Sequence, residues 1–105
     1  MITRIWKGKT ELGKADEYEA FLRRTAYSDY GEIDGNQGWL LLRSDAQDST
    51  EFVFVSFWSS RDALIAYAGP EPEKPKYYPE DKAALIDRPD RVDHYRTVDA
   101  QWGCD

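Results

Sequence analysis

The stretch Phe52-Val53-Phe54-Val55-Ser56-Phe57-Trp58 decides the fold of this chain. Almost all of its residues are β-branched or aromatic, which is the composition of a buried β-strand. Because successive side chains point to opposite faces of a strand, two apolar sets result, namely Phe52, Phe54 and Trp58 on one face and Val53, Val55 and Phe57 on the other. A half-exposed strand would alternate apolar and polar residues. Both faces of this strand therefore need a cover.

The sequence around this strand predicts three further strands and two helices. The four predicted strands are Ile2 to Lys7, Trp39 to Arg43, Phe52 to Trp58 and Val92 to Val98. The first helix is predicted from Lys14 to Tyr27, because its apolar residues recur at helical spacing. The second helix follows the N-capping residues Ser59 and Ser60 and ends at Gly69-Pro70.

The remaining residues are predicted to form connections. Gly8 and Gly13 bracket a polar turn, residues 28–38 form a loop, and residues 44–50 form a hairpin connection. Prolines make residues 71–76 an irregular crossing, and a short helix is expected to start at Pro79. Residues 87–90 are expected to form a turn.

The order β-α-β-β-α-β is that of a ferredoxin-like domain of the α+β class. We expect one domain over residues 1–99 and a C-terminal tail over residues 100–105, which includes Cys104. Both helices lie on one face of the antiparallel sheet, and an exposed apolar patch as large as the second face is unusual on a monomer. We therefore expect a homodimer whose two sheets pack face to face into an α+β barrel.

The composition argues against several classes of partner and site. The 105 residues carry a net charge of −6, so neither nucleic acid nor an anionic membrane is an expected partner. One histidine and one cysteine exclude a metal site built from several of either residue in one chain, and no metal is expected. No apolar run approaches the ~20 residues of a membrane span. The N-terminus lacks the pattern of a signal peptide, and a cytoplasmic location is expected.

The sequence lacks the motifs of nucleotide binding, serine hydrolysis and zinc peptidases. A site must therefore be built from aromatic side chains, carboxylates, arginines and His94. Trp58, at the end of its strand, either lines a cleft or plugs the core. His94 acts as a base or hydrogen-bond donor, or is a buried histidine or a subunit contact. Tyr77 and Tyr78 either close a pocket over a flat ligand or clamp the crossing before them.

The element order, the length, the strand ending in Phe57-Trp58-Ser59-Ser60 and the strand Val92-Asp93-His94-Tyr95 resemble the antibiotic biosynthesis monooxygenase-like proteins. The resemblance covers residues 1–98 and implies a dimeric α+β barrel. Some members of that group oxidise flat phenols, anthrones or quinols with molecular oxygen and use no flavin or metal. Trp58 matches their tryptophan at the end of the third strand, whereas Phe54 stands where the resemblance implies an asparagine.

The haem-degrading members of the group share the tryptophan but also have an asparagine on the first strand and a histidine on the second helix. Neither residue occurs at the matching positions, Ile2 to Lys7 and Ser59 to Ala68, so the resemblance disfavours haem degradation. No cofactor is expected.

The resulting hypothesis is a monooxygenase in which Trp58 and His94 are catalytic and His94 shares a phenolic proton. The residues expected to contact a small aromatic substrate are Phe54, Tyr67, Tyr77, Tyr78 and Arg96. One alternative is a non-catalytic small-molecule-binding or stress-associated barrel. Another is a purely structural dimer, whose cleft would be smaller than the ~300 Å³ of ordinary ligand sites.

Overall fold

The structure, a computed structural model, describes residues 1–30 and 33–102. Its elements in chain order are β1 (Ile2–Glu11), a 3-10 turn (Leu12–Lys14), α1 (Ala15–Tyr30), β2 (Asn36–Asp45), β3 (Ser49–Trp58), α2 (Arg61–Ala68), α3 (Pro79–Ala84), β4 (Leu85–Asp87) and β5 (Asp93–Arg96). The predicted ferredoxin-like arrangement of one antiparallel sheet with helices is confirmed.

The sheet is built around β1 and β3, which pair over their whole lengths from Ile2↔Trp58 to Glu11↔Ser49. β2 pairs with the free edge of β3, so β2 is an edge strand. Along the other edge of β1, β4 pairs near Thr10 and β5 pairs near Arg4, both antiparallel. β5 corresponds to the predicted last strand, Val92 to Val98, whereas β4 was not predicted.

The two faces of β3 differ as the alternation predicted. Phe52, Phe54, Ser56 and Trp58 are buried, whereas the intervening side chains are partly exposed. The buried side faces the helices and is called the inner face. One cluster on it joins Ala15, Tyr18, Leu22, Phe52 and Leu85, and a second joins Trp58, Leu64 and Ala68. Burial of these apolar side chains drives the packing of the helices onto the sheet.

The opposite side of the sheet, called the outer face, is apolar, and no helix within residues 1–30 and 33–102 packs on it. Its members across the three long strands are Ile5, Leu40, Leu42, Val53, Val55 and Phe57. Leu40 and Leu42 are 45% and 46% exposed. Trp102 lies edge-on against the Phe57 ring, with 5.2 Å between ring centroids. The outer face is therefore the apolar surface from which the homodimer was predicted.

Several predicted boundaries were wrong. β1 continues through the expected turn after Lys7, because Gly8 to Glu11 pair with β3. α1 runs to Tyr30 and β2 begins at Asn36, which shortens the predicted loop. β4 occupies part of the expected turn at 87–90, and β5 ends at Arg96 rather than Val98. The expectation for Cys104 lies outside the described residues.

Gly8 is a buried residue whose missing side chain leaves room for the indole of Trp6. A Cβ atom at position 8 would lie 2.7 Å from Cη2 of Trp6, which is closer than real carbon contacts. Any larger residue at this position would therefore force the Trp6 ring to move.

Within residues 1–30 and 33–102, no helix is both long and apolar enough to cross a membrane. In the same residues, no group of three histidine, cysteine or carboxylate side chains is placed to hold a metal ion.

Candidate functional site

A cavity of about 90 Å³ lies between the inner face of the sheet and the helices. β1 and β3 form its floor, α1 and α2 form two walls, and the crossing from Gly69 to Tyr78 borders a third side, while the cavity stays partly open to solvent. The volume is below the ~300 Å³ at which ordinary ligand sites begin. The cavity therefore has room for a single-ring molecule at most in this conformation.

Five aromatic rings line the cavity. Trp6 and Phe54 are register partners on β1 and β3, and both line the cavity. Phe21 comes from α1, Tyr67 from α2, and Tyr78 from the crossing. Flat apolar rings favour a flat, apolar guest, since such surfaces pack closely and exclude water. Phe54, Tyr67 and Tyr78 were predicted to contact a substrate, and the structure brings these three together.

Trp6 and Phe21 also line the cavity, but the sequence did not indicate them as site residues. Strand alternation places Trp6 on the same face as Arg4, and helical spacing places Phe21 beside the apolar face of α1. These signals locate both residues on the inner face. They do not tell a core ring from a cavity ring, because that difference depends on how closely the crossing packs against the sheet.

Arg4 supplies a positive charge to the cavity wall although it is only 8% exposed. Its Nη1 atom donates to the carbonyl oxygen of Pro72 at 2.8 Å and lies 3.0 Å from Nε2 of His94. The first bond connects β1 to the crossing, and the second connects it to β5. The guanidinium is therefore held at the cavity by two separate segments of the chain.

Asp81 lines the cavity as a buried carboxyl group. It accepts hydrogen bonds from the Tyr18 hydroxyl and from the backbone N–H of Tyr78, both at 2.7 Å. Burial raises the pKa of Asp81, and the bond from Tyr18 opposes part of that rise. Burial, together with this bond, also raises the pKa of Tyr18. The pair fixes the start of α3 against α1.

Tyr78 lines the cavity from the end of the crossing. Its hydroxyl donates to Oδ2 of Asp29, near the end of α1, at 2.9 Å. This bond to a carboxylate, followed by burial, raises the pKa of Tyr78 to about 12. The Tyr78 ring also meets Phe21 edge-on, with 6.1 Å between centroids. Tyr78 and Asp29 both line the cavity, so this bond joins the crossing to α1 at the cavity wall.

His94 is placed beside the cavity and not in its wall. The described lining residues do not include it, and its Nε2 faces Arg4. Burial and the positive charge of Arg4 lower the pKa of His94, so the imidazole is neutral at pH 7. Its contact with the cavity runs through Arg4.

Trp58 is fully buried at the α2 end of the sheet. Its indole N–H donates to the Ser56 hydroxyl at 3.0 Å, and its ring stacks on Tyr67 with 5.0 Å between centroids. Tyr67 lines the cavity, whereas Trp58 is not among the described lining residues. Trp58 therefore supports a cavity wall from behind.

Tyr77 and Arg96 are also outside the described lining. The Tyr77 hydroxyl donates to the carbonyl oxygen of Pro89, and its ring packs on the cluster under α1. This is the geometry of the clamp that was one of the two interpretations of this tyrosine. Arg96 is exposed on β5 opposite Ile2.

Comparison with solved structures finds the same fold repeatedly. The haem degrader MhuD from Mycobacterium tuberculosis, with two haems bound in its active site, matches with a TM-score of 0.65 and 18% identity, covering 97% of this chain and 100% of that one. An antibiotic biosynthesis monooxygenase matches with a TM-score of 0.69 and 19% identity, over 94% and 100% of the two chains.

A candidate antibiotic biosynthesis monooxygenase from Deinococcus radiodurans matches with a TM-score of 0.67 and 15% identity over 100% of both chains. No protein-family model matches the sequence. No curated protein matches it either. The resemblance to antibiotic biosynthesis monooxygenases is confirmed at the level of the fold.

MhuD binds haem, and a haem ligated by histidine needs an imidazole nitrogen that faces the cavity. The chain has one histidine, and its Nε2 faces Arg4 outside the described lining of the cavity. The cavity of about 90 Å³ is also far smaller than a porphyrin. A haem bound through histidine does not fit this cavity as the structure has it.

Proposed function

We propose that this chain binds a small phenol in the cavity and oxidises it with molecular oxygen, without a bound cofactor. The observation that carries the proposal is the meeting of five aromatic rings and the buried Arg4 guanidinium around one cavity. The fold shared with antibiotic biosynthesis monooxygenases supports the same reaction class. Fold alone does not decide the chemistry, which depends on the residues around the cavity.

In this proposal the substrate supplies the electrons. For a hydroquinone, one O₂ is consumed, one oxygen atom enters the ring, the other leaves as water, and the product is a hydroxyquinone. The reactive form is the phenolate, whose electrons are more available to oxygen than those of the phenol. A buried positive charge stabilises the phenolate, because the low dielectric of the site strengthens the attraction.

The residues have distinct roles in this reaction. Arg4 faces the phenolate oxygen, and the rings of Trp6, Phe54 and Tyr67 hold the substrate and exclude water. His94 and Pro72 position the guanidinium, and Trp58 supports Tyr67. The predicted transfer of a proton to His94 would have to pass through the position that Arg4 occupies.

Oxygen uptake with hydroquinone, phenol and an anthrone tests this proposal. We expect uptake above buffer with the single-ring quinol, strongly reduced in Arg4→Gln and partly retained in Arg4→Lys, which keeps the charge. Arg24→Gln, an exposed arginine on α1, is the matched control. Thermal unfolding confirms that each variant is folded. No uptake by the folded wild-type protein would rule out the oxygenase.

The second candidate is a small-molecule binder without turnover. Two observations favour it: Phe54 stands where the family resemblance implies an asparagine, and the cavity carboxylates are already bonded to Tyr18 and Tyr78. A phenol that raises the melting temperature without oxygen uptake would support this binder. If no phenol raises the melting temperature, the small volume of the cavity favours a purely structural protein.

We further propose that a second copy of the chain covers the outer face. Six apolar residues from three adjacent strands form a continuous surface there, and burying it would stabilise a symmetric pair of sheets.

A further inference from the structure

Lys76 is a second cationic residue of the cavity lining, and the proposed reaction does not use it. It lines the cavity together with Tyr67 and is exposed to solvent. Its Nζ atom lies 6.0 Å from the centroid of the Tyr67 ring and 3.5 Å from the Tyr67 carbonyl oxygen, which is long for a hydrogen bond. None of the ion pairs within residues 1–30 and 33–102 includes Lys76. The ammonium group therefore lies next to a ring that a bound aromatic molecule would contact, and it is available to an anion of that molecule.

The two cations of the lining are in different surroundings. Arg4 is 8% exposed and lies on the floor formed by the sheet, whereas Lys76 lies on the crossing and is exposed. The cavity is itself partly open to solvent. Burying a carboxylate costs much more free energy than burying a neutral hydroxyl group, because the charged group loses more of its hydration. A phenolic group is therefore suited to the buried end at Arg4, and a carboxylate is suited to the exposed end at Lys76.

The acidic groups of the lining lie on another side of the cavity. Asp29 belongs to α1, and Asp81 is bonded to the hydroxyl of Tyr18 on the same helix. Arg4 and Lys76 instead contact the first part of the crossing and α2, respectively. Because the repulsion between like charges falls with distance, a ligand carboxylate on the side of α2 is repelled less by these acids than one beside α1.

We propose that the ligand of this cavity is a phenol that also carries a carboxylate, of the hydroxybenzoate class, with its phenolic oxygen toward Arg4 and its carboxylate toward Lys76. The inference rests on the proposed function for the phenolic end. Only the ring has to fit within the cavity of about 90 Å³, since the carboxylate extends to the side that is open to solvent. Lys76 thereby acquires a role in specificity that the sequence did not indicate.

The test compares 4-hydroxybenzoate with 4-hydroxybenzamide, which has a neutral amide in place of the carboxylate. Isothermal titration calorimetry at low ionic strength gives both affinities, and the wild-type protein should bind the acid more tightly than the amide. An exposed ion pair is a modest interaction, so the ratio of the two affinities should fall about two- to fivefold in Lys76→Gln. Added salt should reduce the ratio in the wild-type protein, because it screens exposed charges.

Two further variants separate the position of the charge from its sign. Lys76→Arg keeps the positive charge and should keep most of the preference for the acid. Lys74→Gln is the matched control, because it removes the same charge from the same crossing. Lys74 is exposed, pairs with Glu71 at 3.1 Å and is outside the described lining of the cavity. This variant should leave the ratio close to that of the wild-type protein.

A ratio that is unchanged in Lys76→Gln, or that falls equally in Lys74→Gln, would overturn the inference. Failure of the acid to bind would also overturn it, and oxygen uptake with hydroquinone would then show that the oxygenase stands without it. If the acid binds with the expected dependence on Lys76 but hydroquinone gives no oxygen uptake, the role of Lys76 stands and the oxygenase falls.

Discussion

Arg4 and His94 face each other on β1 and β5, with Nη1 of the arginine 3.0 Å from Nε2 of the histidine. Arginine has only donors, so Nε2 accepts and the proton of the neutral ring is on Nδ1. Nδ1 is buried and has no hydrogen-bond partner among the described residues. Protonating Nε2 would set two cations against each other, which is one of the reasons the pKa of His94 is lowered.

This arrangement predicts how stability depends on pH. The folded pKa of His94 lies below the ordinary value of 6.5, so the unfolded chain binds the proton first as the pH falls. The stabilising contribution of His94 is complete above pH 6.5 and is lost as the pH drops through the lower, folded pKa. Urea unfolding between pH 7.5 and 5 should show this loss in the wild-type protein.

His94→Gln isolates the effect, because glutamine can still accept from Arg4 but does not titrate in this range. The difference in unfolding free energy between the wild-type protein and this variant should shrink as the pH falls. A constant difference across the range would contradict the lowered pKa.

The buried position of Trp58 predicts a large effect on stability. Trp58→Ala removes a fully buried ring that packs on Leu64 and Ala68, and should cost about 3–5 kcal/mol of unfolding free energy. Trp58→Phe should cost less, since most of the volume remains. Val98→Ala, which truncates a side chain that is 85% exposed, should cost under about 1 kcal/mol. Denaturant unfolding measures all three, and a cost of Trp58→Ala as small as that of Val98→Ala would contradict the buried position.

The hydrogen bond between Tyr18 and Asp81 predicts a destabilisation that grows with pH. Tyr18→Phe leaves a buried carboxyl oxygen without that donor and should cost about 1–3 kcal/mol near neutrality. Because the bond lowers the pKa of Asp81 against the effect of burial, its loss raises that pKa further. When the pKa of a carboxyl group is higher in the folded state than in the unfolded state, the group stabilises the fold below its ordinary pKa of 3.8. This contribution is lost as the pH rises through the folded pKa.

The cost of Tyr18→Phe should therefore be larger at pH 7 than at pH 4, as measured by urea unfolding. In an Asp81→Asn background this pH dependence should disappear. If it persists there, another titrating group is responsible.

The apolar outer face predicts the oligomeric state. Val55→Lys places a charge at the centre of this face and should convert a dimer into monomers in sedimentation equilibrium. A stable dimer interface buries about 1,200 Å² or more in total, which the sheet face can supply only if most of it is covered. Ala66→Lys, on the exposed side of α2, is the control and should leave the dimer intact. A wild-type protein that is monomeric at low micromolar concentration would contradict the prediction.

The periodic elements could be predicted from the sequence, because alternation and helical spacing are local properties. Alternation assigned Phe52 and Val53 to opposite faces of β3, and helical spacing assigned Tyr18 and Leu22 to the buried side of α1. β4 was missed because three residues carry no periodic signal. Its formation depends on pairing with Thr10, which is distant in sequence.

The candidate site was predicted only in part, for a related reason. Phe54 and Trp58 lie on the same face of one strand, and the sequence does not show which ring the second helix covers. In the structure α2 packs Leu64 and Tyr67 over Trp58, and Phe54 is left at the cavity. His94 and Arg4 are brought together by strands at opposite ends of the chain.

The glycine beneath Trp6 has a consequence for how new binding preferences could arise. A methyl group at position 8 would collide with the indole, and the ring would have to tilt or slide to relieve the overlap. Because that ring is part of the cavity wall, a substitution at a residue outside the described lining would reshape the binding volume from below. A substitution at Gly8 could therefore change which molecules the cavity selects, although Gly8 itself does not line it. Mutagenesis confined to the lining residues would miss this effect.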